Sequence, residues 1–234
     1  MLLKRQVIEQ LYSTQLIIAA LNEEKGIGPT LADYIDNLGI MKILVIDGNS
    51  RDRTVEIAKN MGAEVSFQNG VGKGDAIAKA IQEIDPSIKY IILTDADYTY
   101  PAKFVPEMIE IIEKNPKIGM VCGNRFSGDT ESKALQKQFL FGNRILSIAH
   151  SLLNGVALAD PLTGLRVIRT DVFKNWQIKS QSFDIEVELN HQVKKSGYKI
   201  KEIPIAYRKR LGEKKLKIKD GIIILRRIIS EIIR

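Results

Sequence analysis

The sequence predicts an α/β protein built on a doubly wound, mostly parallel β-sheet. Short runs of apolar, largely β-branched residues alternate with longer segments of helical periodicity, which is typical of repeated strand–helix–strand units. Polar residues directly follow several of the apolar runs, as expected where a ligand binds at the carboxyl ends of parallel strands. At 234 residues, the chain can bury one substantial core and carry an appendage.

The alternating part contains five predicted strands with helices between them. The strands are predicted at residues 16–21, 42–46, 63–67, 90–93 and 118–122. The helices are predicted up to residue 38 and over residues 54–60, 75–84 and 103–114. The strand runs are nearly continuous in Ile, Val and Leu, as in strands that are buried on both faces of a parallel sheet.

After Gly123 the alternation stops. We predict a long helix, a short strand, a helix, a last strand and a C-terminal helix, at residues 132–153, 167–168, 183–195, 198–206 and 222–234. The first 15 residues lack the apolar stretch of a signal peptide and are predicted to form a short amphipathic helix. The expected organisation is an N-terminal helix (1–15), a core domain (16–216) and an amphipathic helix (217–234).

The composition indicates which kind of partner the protein binds and in which compartment it works. Residues 194–234 hold 14 Lys and Arg against 4 Asp and Glu, so they carry more than the whole net charge of +7. A basic end of this kind favours an anionic partner such as a membrane or a phosphate. Only Tyr207 adjoins the basic tract 208–215, which argues against base stacking and nucleic-acid binding. The single cysteine, Cys122, fits a reducing cytoplasm.

The most informative stretch is the apolar run that ends in Asp95 and Asp97. Alternation along an extended backbone would point both carboxylates the same way, at the carboxyl end of a buried strand. Two like charges this close repel each other unless a cation lies between them, and Mg²⁺ or Mn²⁺ with a polyphosphate is the usual occupant. The alternative is a strand end followed by a solvated turn.

Two further strands end in polar residues, at 22–24 and 47–52, so three strands deliver acids to one edge of the sheet. Turn or helix-cap chemistry accounts for single cases, such as Asp52 or Asp75, but it explains the three clusters together poorly. The loop 70–74 lacks the spacing of a P-loop, and no strand is followed by G-x-G-x-x-G, which disfavours nicotinamide and flavin enzymes. Lys73 in this loop would either approach a diphosphate or be a solvated lysine in a tight turn.

The last predicted helix is strongly amphipathic. One face carries the apolar residues Ile222, Ile224, Leu225, Ile228, Ile229 and Ile232. The opposite face carries Arg226, Arg227, Ser230, Glu231 and Arg234. A cationic amphipathic helix is typical of an in-plane membrane anchor, and the alternative is a helix packed on the domain or on a second subunit. No run of 18 apolar residues occurs, so we expect no membrane-spanning segment.

Seven short motifs occur in a characteristic order. They are N-E-E at 22–24, D-G-N-S-R-D-R-T at 47–54, G-K-G-D-A at 72–76, D-A-D-Y-T-Y-P at 95–101, G-N-R at 123–125, D-P-L-T-G-L-R at 160–166 and R-L-G-E-K-K at 210–215. Together they resemble family 2 glycosyltransferases of the GT-A fold, and among these the polyprenyl (dolichyl) phosphate sugar synthases. The resemblance covers roughly residues 15–216.

The resemblance implies a nucleotide diphosphate sugar as donor and a set of site residues. The implied donor-binding residues are Ala19, Leu21, Glu23, Asp47, Lys73, Asp95, Ala96, Arg210 and Lys215. Asp97 and Thr99 are the implied ligands of Mg²⁺ or Mn²⁺, with Thr99 at a position where related enzymes often have Gln. The D-A-D-Y-T-Y-P block looks more like archaeal enzymes that use UDP-sugars, so UDP-GlcNAc or UDP-glucose is favoured and GDP-mannose comes next.

The acceptor decides which other groups catalysis needs. A polyprenyl phosphate is already ionised at neutral pH, so it requires arginines for positioning, and Arg125 and Arg144 are the candidates beside Asp95 and Asp97. A sugar hydroxyl would require a carboxylate base, and Asp160 and Glu186 are the candidates. The expected product is formed with inversion, by an enzyme held peripherally on the cytoplasmic face of the membrane. A sugar nucleotidyltransferase would usually have a Gly-rich, basic loop directly after the first strand, where this chain has the acidic Asn22-Glu23-Glu24. A non-enzymatic basic module would not need Asp95 or Asp97.

Overall fold

Seven strands form one sheet in the computed structural model, which describes residues 13–39, 42–127, 133–213, 215 and 218–233. In chain order they are β1 (Thr14–Ala20), β2 (Lys42–Asp47), β3 (Glu64–Phe67), β4 (Tyr90–Asp95), β5 (Ile118–Asn124), β6 (Arg166–Arg169) and β7 (Lys199–Pro204). Their order across the sheet is β3-β2-β1-β4-β6-β5-β7. All neighbouring pairs are parallel except those of β6, which runs antiparallel to β4 and β5. The predicted mostly parallel α/β sheet is confirmed.

The described helices lie close to the predicted positions. They are α1 (Ile27–Leu38), α2 (Thr54–Asn60), α3 (Lys73–Gln82), α4 (Val105–Lys114), α5 (Lys133–Asn154), α6 (Ile185–Lys195) and α7 (Ile218–Ser230). Helix α7 begins four residues before its predicted start, at Ile218. Helix α3 begins two residues early, at Lys73, because Gly72, with φ +87°, turns the chain directly into the helix. The predicted helix over residues 1–15 lies largely outside the described residues, and its last two positions belong to β1.

Apolar layers cover both faces of the sheet. Successive residues of β1 illustrate this, because Ile17 packs in one layer and Ile18 in the other. Both side chains are buried, as are their neighbours in β2 and β4. Burial on both faces explains why the strands read as continuous apolar runs rather than as alternating patterns.

Helix α7 packs on α5 and α6 with a different face from the one its pattern suggests. Ile224 and Ile228 are buried against Val187 of α6. Arg227 also points inward, where its Nε donates to Asp184 Oδ2 at 3.0 Å and its Nη1 lies 3.5 Å from Glu231 Oε1. The division into one apolar and one solvated face is therefore wrong, because buried carboxylates on α6 draw Arg227 into the protein.

The outward face of α7 is consequently apolar. Its exposed large side chains are Ile222, Ile223, Leu225, Ile229 and, in the short turn that follows, Ile232. Helix α5 beside it exposes Ile145, Ile148, Leu152 and Leu153. We call these nine residues the α5–α7 apolar surface. No helix in the described part of the chain is long and apolar enough to cross a bilayer.

Candidate active site

Three strands end at the same edge of the sheet, where the candidate residues gather. The register pairs Ala20 of β1 with Asp47 of β2, and Ala19 of β1 with Asp95 of β4. Asp47 is fully buried and accepts hydrogen bonds from the backbone N–H (2.7 Å) and the hydroxyl (2.6 Å) of Ser50. Leu21, at the end of β1, is exposed at the rim. The strand ends thus converge as the sequence predicts.

Asp97 lies in a turn rather than in the strand, since β4 ends at Asp95 and Tyr98 has φ +70°. Alternation along the strand therefore does not determine where the Asp97 side chain points; this turn does. Only 1% of Asp97 is exposed. Its Oδ1 accepts hydrogen bonds from the hydroxyl (2.5 Å) and the backbone N–H (3.1 Å) of Thr99. Burial and the neighbouring Asp95 raise the pKa of Asp97 above its ordinary value.

Helix α1 packs tightly on this turn. A Cβ atom at Gly26 would lie 2.5 Å from the carbonyl oxygen of Ala96 and 2.7 Å from Cα of Asp97. A residue with a side chain at position 26 would therefore push the turn out of place. Ala96 is buried by this contact region, so the glycine keeps the Asp97 backbone rigidly seated.

Lys73 lies between two carboxylates. Its Nζ is 2.7 Å from Asp95 Oδ1 and 2.8 Å from Glu186 Oε1 in the first turn of α6. Burial disfavours the ammonium form, but the two carboxylates outweigh it and raise the pKa of Lys73. The pKa of Asp95 is lowered because Lys73 outweighs the effect of burial. The sequence left open a diphosphate contact or a solvated lysine. In this structure Lys73 instead links the acidic edge of the sheet to α6.

The glycines around Lys73 serve this placement. A Cβ atom at Gly74 would lie 2.1 Å from the carbonyl oxygen of Ser180, and one at Gly72 would lie 2.2 Å from that of Gln181. The backbone N–H of Gly74 donates to the Gln181 carbonyl at 3.1 Å. The loop is therefore packed on the segment before α6, which explains its glycines without a phosphate cradle.

The basic tract crosses the mouth of the site. Arg210 forms ion pairs with Asp97 and, at 3.4 Å, with Glu23. Lys215 Nζ lies 3.8 Å from Glu23 Oε1 and donates to the backbone carbonyl of Asn22 at 3.1 Å. Burial raises the pKa of Glu23 to about 7, against the opposing effects of Lys215 and Arg210. Arg210 and Lys215, two of the implied donor-binding residues, thus lie over the acidic edge.

The two candidate arginines occupy very different environments. Arg125 is buried and makes a two-pronged salt bridge, with Nε 2.7 Å from Asp160 Oδ2 and Nη2 2.7 Å from Asp160 Oδ1. Its guanidinium also lies over the ring of Tyr207, 5.5 Å from the centroid. Arg144, on α5, is exposed beside the α5–α7 apolar surface. The structure therefore does not bring Arg144 to the aspartates, and it engages Arg125 with Asp160.

Sequence reasoning missed two supporting residues. The hydroxyl of Thr54 accepts the backbone N–H of Glu23 at 2.8 Å, and Tyr100 accepts the backbone N–H of Gly164 through its hydroxyl at 2.7 Å. Both belong to recognised motifs, which was the available signal. Their roles depend on contacts across 31 and 64 residues of chain, so spacing could not show them.

Gly164 is expected to be essential for placing Asp95. A Cβ atom there would lie 2.6 Å from Asp95 Oδ2 and 2.8 Å from Cε2 of Tyr100. Gly164→Ala should therefore displace the Asp95 carboxylate and lower the rate of the reaction at this site about a hundredfold. Initial-rate assays would measure this, with Gly142→Ala as the control because a Cβ atom there meets nothing within 4 Å. Equal rates for the two variants would contradict the tight placement of Asp95.

Comparison with known proteins places this geometry in a family. The model of glycosyl transferase family 2 matches residues 15–176, which include all three acidic strand ends. The chain belongs to glycosyl transferase family 2. Among family 2 relatives, a dolichyl-phosphate hexose transferase of Haloferax volcanii is 34% identical over 203 residues, which cover 86% of this chain and 85% of the relative. Glycosyltransferase AglJ of the same organism is 33% identical over 80% of this chain, but the match spans only 60% of AglJ.

Solved structures confirm the GT-A fold expected of this family 2 member. Glucosyl-3-phosphoglycerate synthase from Mycobacterium tuberculosis in complex with UDP superposes with a TM-score of 0.76 at 16% identity, over 97% of this chain and 83% of that one. The same synthase in complex with Mg²⁺ and UDP superposes with a TM-score of 0.75, over 98% and 82% of the chains. At this identity the likeness concerns the fold alone.

The acidic edge of the sheet in this family 2 chain fits a divalent metal held by one carboxylate. Within the described residues no group of three or more His, Cys, Asp or Glu side chains forms a ready metal cluster. Mg²⁺ needs no such cluster, because it commonly binds one or two carboxylates together with substrate phosphates and water. Asp97 suits this role, since its Oδ2 faces a cationic partner, Arg210. Thr99 donates its hydroxyl proton to Asp97, so in this structure it orients the carboxylate.

Proposed function

We propose that this protein is a metal-dependent, inverting glycosyltransferase that moves a sugar from a nucleotide diphosphate sugar to dolichyl or polyprenyl phosphate. UDP-GlcNAc and UDP-glucose are the favoured donors and GDP-mannose comes next. The family membership and the name of the Haloferax relative support the reaction class. The observation that carries the choice of acceptor is that both candidate bases, Asp160 and Glu186, are already paired with cations.

The donor side would be held by the acidic edge. Asp47 and Glu23 would bind the nucleoside, and Arg210 and Lys215 would close over the diphosphate, where guanidinium and ammonium groups form strong charge-assisted hydrogen bonds. Asp97 would hold Mg²⁺ or Mn²⁺ together with diphosphate oxygens, and the charge of the ion would stabilise the departing nucleotide. Lys73 keeps Asp95 ionised and in place beside the sugar.

The acceptor side requires no base if the acceptor is a phosphate. Its oxygen would attack the anomeric carbon of the sugar as the bond from that carbon to the nucleotide diphosphate breaks, which inverts the anomeric centre. A phosphate monoester is mostly a dianion at neutral pH, so no proton has to be removed. Asp160 is fully buried in its pair with Arg125, and the Glu186 carboxylate is neutralised by Lys73. These pairings suit a nucleophile that arrives already charged.

A hydroxyl acceptor is the second candidate, and one observation favours it. The Oε2 atom of Glu186 is buried and has no hydrogen-bond partner among the described residues, so it would be able to accept a proton. In that case Glu186→Gln should abolish transfer, because a hydroxyl must lose its proton in the reaction. With a lipid phosphate acceptor the same variant should retain substantial transfer.

The α5–α7 apolar surface supports attachment to a lipid bilayer. Leu152 is 79% exposed and Ile229 lies on the neighbouring helix, so burial of this surface in the acyl boundary would remove apolar area from water. Arg144 and Arg226 are exposed beside it and would attract anionic headgroups. We propose that the protein lies peripherally on the cytoplasmic face of the membrane, with Arg144 and Arg226 facing its anionic headgroups.

Removing apolar area from this surface is expected to weaken membrane binding. Leu152→Asp and Ile229→Asp should each lower the affinity for vesicles about tenfold or more, because each exposes a charge where an apolar side chain would be buried. Vesicle flotation with phosphatidylglycerol-containing vesicles would measure this. Val71→Asp is the matched control, since Val71 is 77% exposed in the loop before α3 and does not belong to the α5–α7 apolar surface. Equal losses in all three variants would contradict a localised membrane surface.

A donor panel tests the proposed function directly. Purified protein, Mg²⁺ or Mn²⁺, polyprenyl phosphate and each radiolabelled UDP- or GDP-sugar should yield label in the organic phase for one donor. EDTA should abolish the signal. Donor hydrolysis without any lipid product would overturn the lipid-phosphate acceptor and redirect attention to hydroxyl acceptors and Glu186.

A further inference from the structure

We propose that Arg210 holds the cation position at Asp97 until the nucleotide arrives, so that Arg210 and the metal ion bind Asp97 in turn. This inference rests on the proposed function, because it assumes a donor diphosphate and a divalent metal at this edge. It adds a regulatory property, namely that the metal binds productively only together with the nucleotide.

The geometry leaves one oxygen of Asp97 for two cations. Oδ1 is taken by the hydroxyl and the backbone N–H of Thr99. Oδ2 forms the ion pair with Arg210. Because Asp97 is buried in a turn packed on α1, it cannot readily turn to offer another oxygen. A metal ion that binds Oδ2 must therefore displace the guanidinium.

The surroundings allow Arg210 to leave without unfolding the tract. Its backbone neighbour Leu211 donates its N–H to the carbonyl oxygen of Asp97 at 3.0 Å, so the main chain stays anchored while the side chain moves. The Arg210 side chain is partly exposed, and its other contacts are the 3.4 Å ion pair with Glu23 and a 2.9 Å hydrogen bond to the Glu213 carbonyl. A diphosphate at this edge would offer a stronger, two-pronged partner.

Charge balance favours an exchange rather than a simple addition. Without nucleotide, a divalent ion at Asp97 would lie directly beside the positive charge of Arg210, whereas Lys215 pairs with Glu23. The diphosphate brings negative charge that accepts both cations and completes the metal's oxygen ligands. Free metal should therefore bind weakly to the protein alone, and the nucleotide should increase the metal affinity strongly.

The test is to measure Mn²⁺ binding to the full chain with and without UDP. The electron paramagnetic resonance signal of free Mn²⁺ reports how much of the ion remains unbound. Arg210→Gln should bind Mn²⁺ about tenfold more tightly than wild type without UDP, because the competing cation is gone. The same variant should bind UDP–Mn²⁺ more weakly, because the diphosphate loses its arginine. The single substitution should thus raise the affinity for Mn²⁺ alone and lower the affinity for UDP–Mn²⁺.

Lys215→Gln is the matched control, since it removes the same charge near the site from a residue that contacts Glu23 rather than Asp97. It should leave the Mn²⁺ affinity without UDP within about twofold of wild type. Arg210→Lys, which keeps the charge, checks that the tract still folds. Equal Mn²⁺ affinities for Arg210→Gln and Lys215→Gln, or for Arg210→Gln and wild type, would overturn the exchange.

Two outcomes distinguish a failure of the exchange from a failure of the proposed function. If wild type transfers sugar to lipid phosphate but Arg210→Gln does not change Mn²⁺ binding, the exchange is wrong and the proposed function stands. If wild type neither binds Mn²⁺ with UDP or GDP nor transfers sugar, both are overturned.

Discussion

Asp97→Asn is expected to reduce sugar transfer about a thousandfold at saturating donor. The amide keeps an acceptor for Thr99, but it places an NH₂ group where the carboxylate now faces Arg210 and would face the metal. Loss of the metal contact removes several kcal/mol of transition-state stabilisation, and each 1.36 kcal/mol corresponds to a factor of about ten in rate. Transfer assays over a range of Mg²⁺ and Mn²⁺ concentrations would measure the effect.

The control for this substitution is Asp36→Asn, which makes the same change at an exposed position on α1. It should transfer sugar at the wild-type rate. If Asp97→Asn also did so, with unchanged dependence on metal, Asp97 would not be the metal ligand and the role assigned to the Asp95–Asp97 pair would be wrong.

Asp160→Ala is expected to destabilise the fold by about 3 to 5 kcal/mol, because it leaves the buried guanidinium of Arg125 without its partner. The backbone N–H groups of Asp160 and Ala159 remain bonded to Glu202, so the loss should come from the ion pair and from the hydrogen bond that the Arg125 backbone N–H donates to Asp160 Oδ2. Urea denaturation followed by circular dichroism would measure the free energy of unfolding.

The double substitution Arg125→Met and Asp160→Leu should recover a large part of this stability, because apolar groups replace both charges. Transfer by the double variant would then report whether the pair also positions the acceptor. A different result for Asp160→Ala, namely unchanged stability with complete loss of transfer, would assign Asp160 as a base and favour a hydroxyl acceptor.

Local patterns were sufficient for most of the fold. The apolar runs placed all seven described strands to within about two residues, because a strand buried on both faces must be apolar at nearly every position. Asp47 and Asp95 were placed at one edge for the same reason, since parallel strands end together. The pairing of β6 could not be predicted in this way, because its four residues with two terminal arginines carry too little pattern to show that they pair antiparallel between β4 and β5.

The partners of the charged side chains could be identified only from the folded structure. Lys73 meets Glu186 from a helix 113 positions later, and Arg210 meets Asp97 from the same distance along the chain. The division of α7 into buried and exposed faces differed from the prediction for a similar reason. A helical pattern shows which side chains share a face, but the buried carboxylate of Asp184 determines that Arg227 turns inward and Ile229 outward.

Residue types and their order therefore establish the family, the sheet and the acidic edge of this protein, because these follow from backbone periodicity and local motif spacing. The pairing of its charges and the outward apolar surface follow from the packing of distant segments. Burying a charge is unfavourable without a partner, so the positions of Lys73, Arg125 and Arg227 depend on carboxylates that the folded chain brings to them from elsewhere in the sequence.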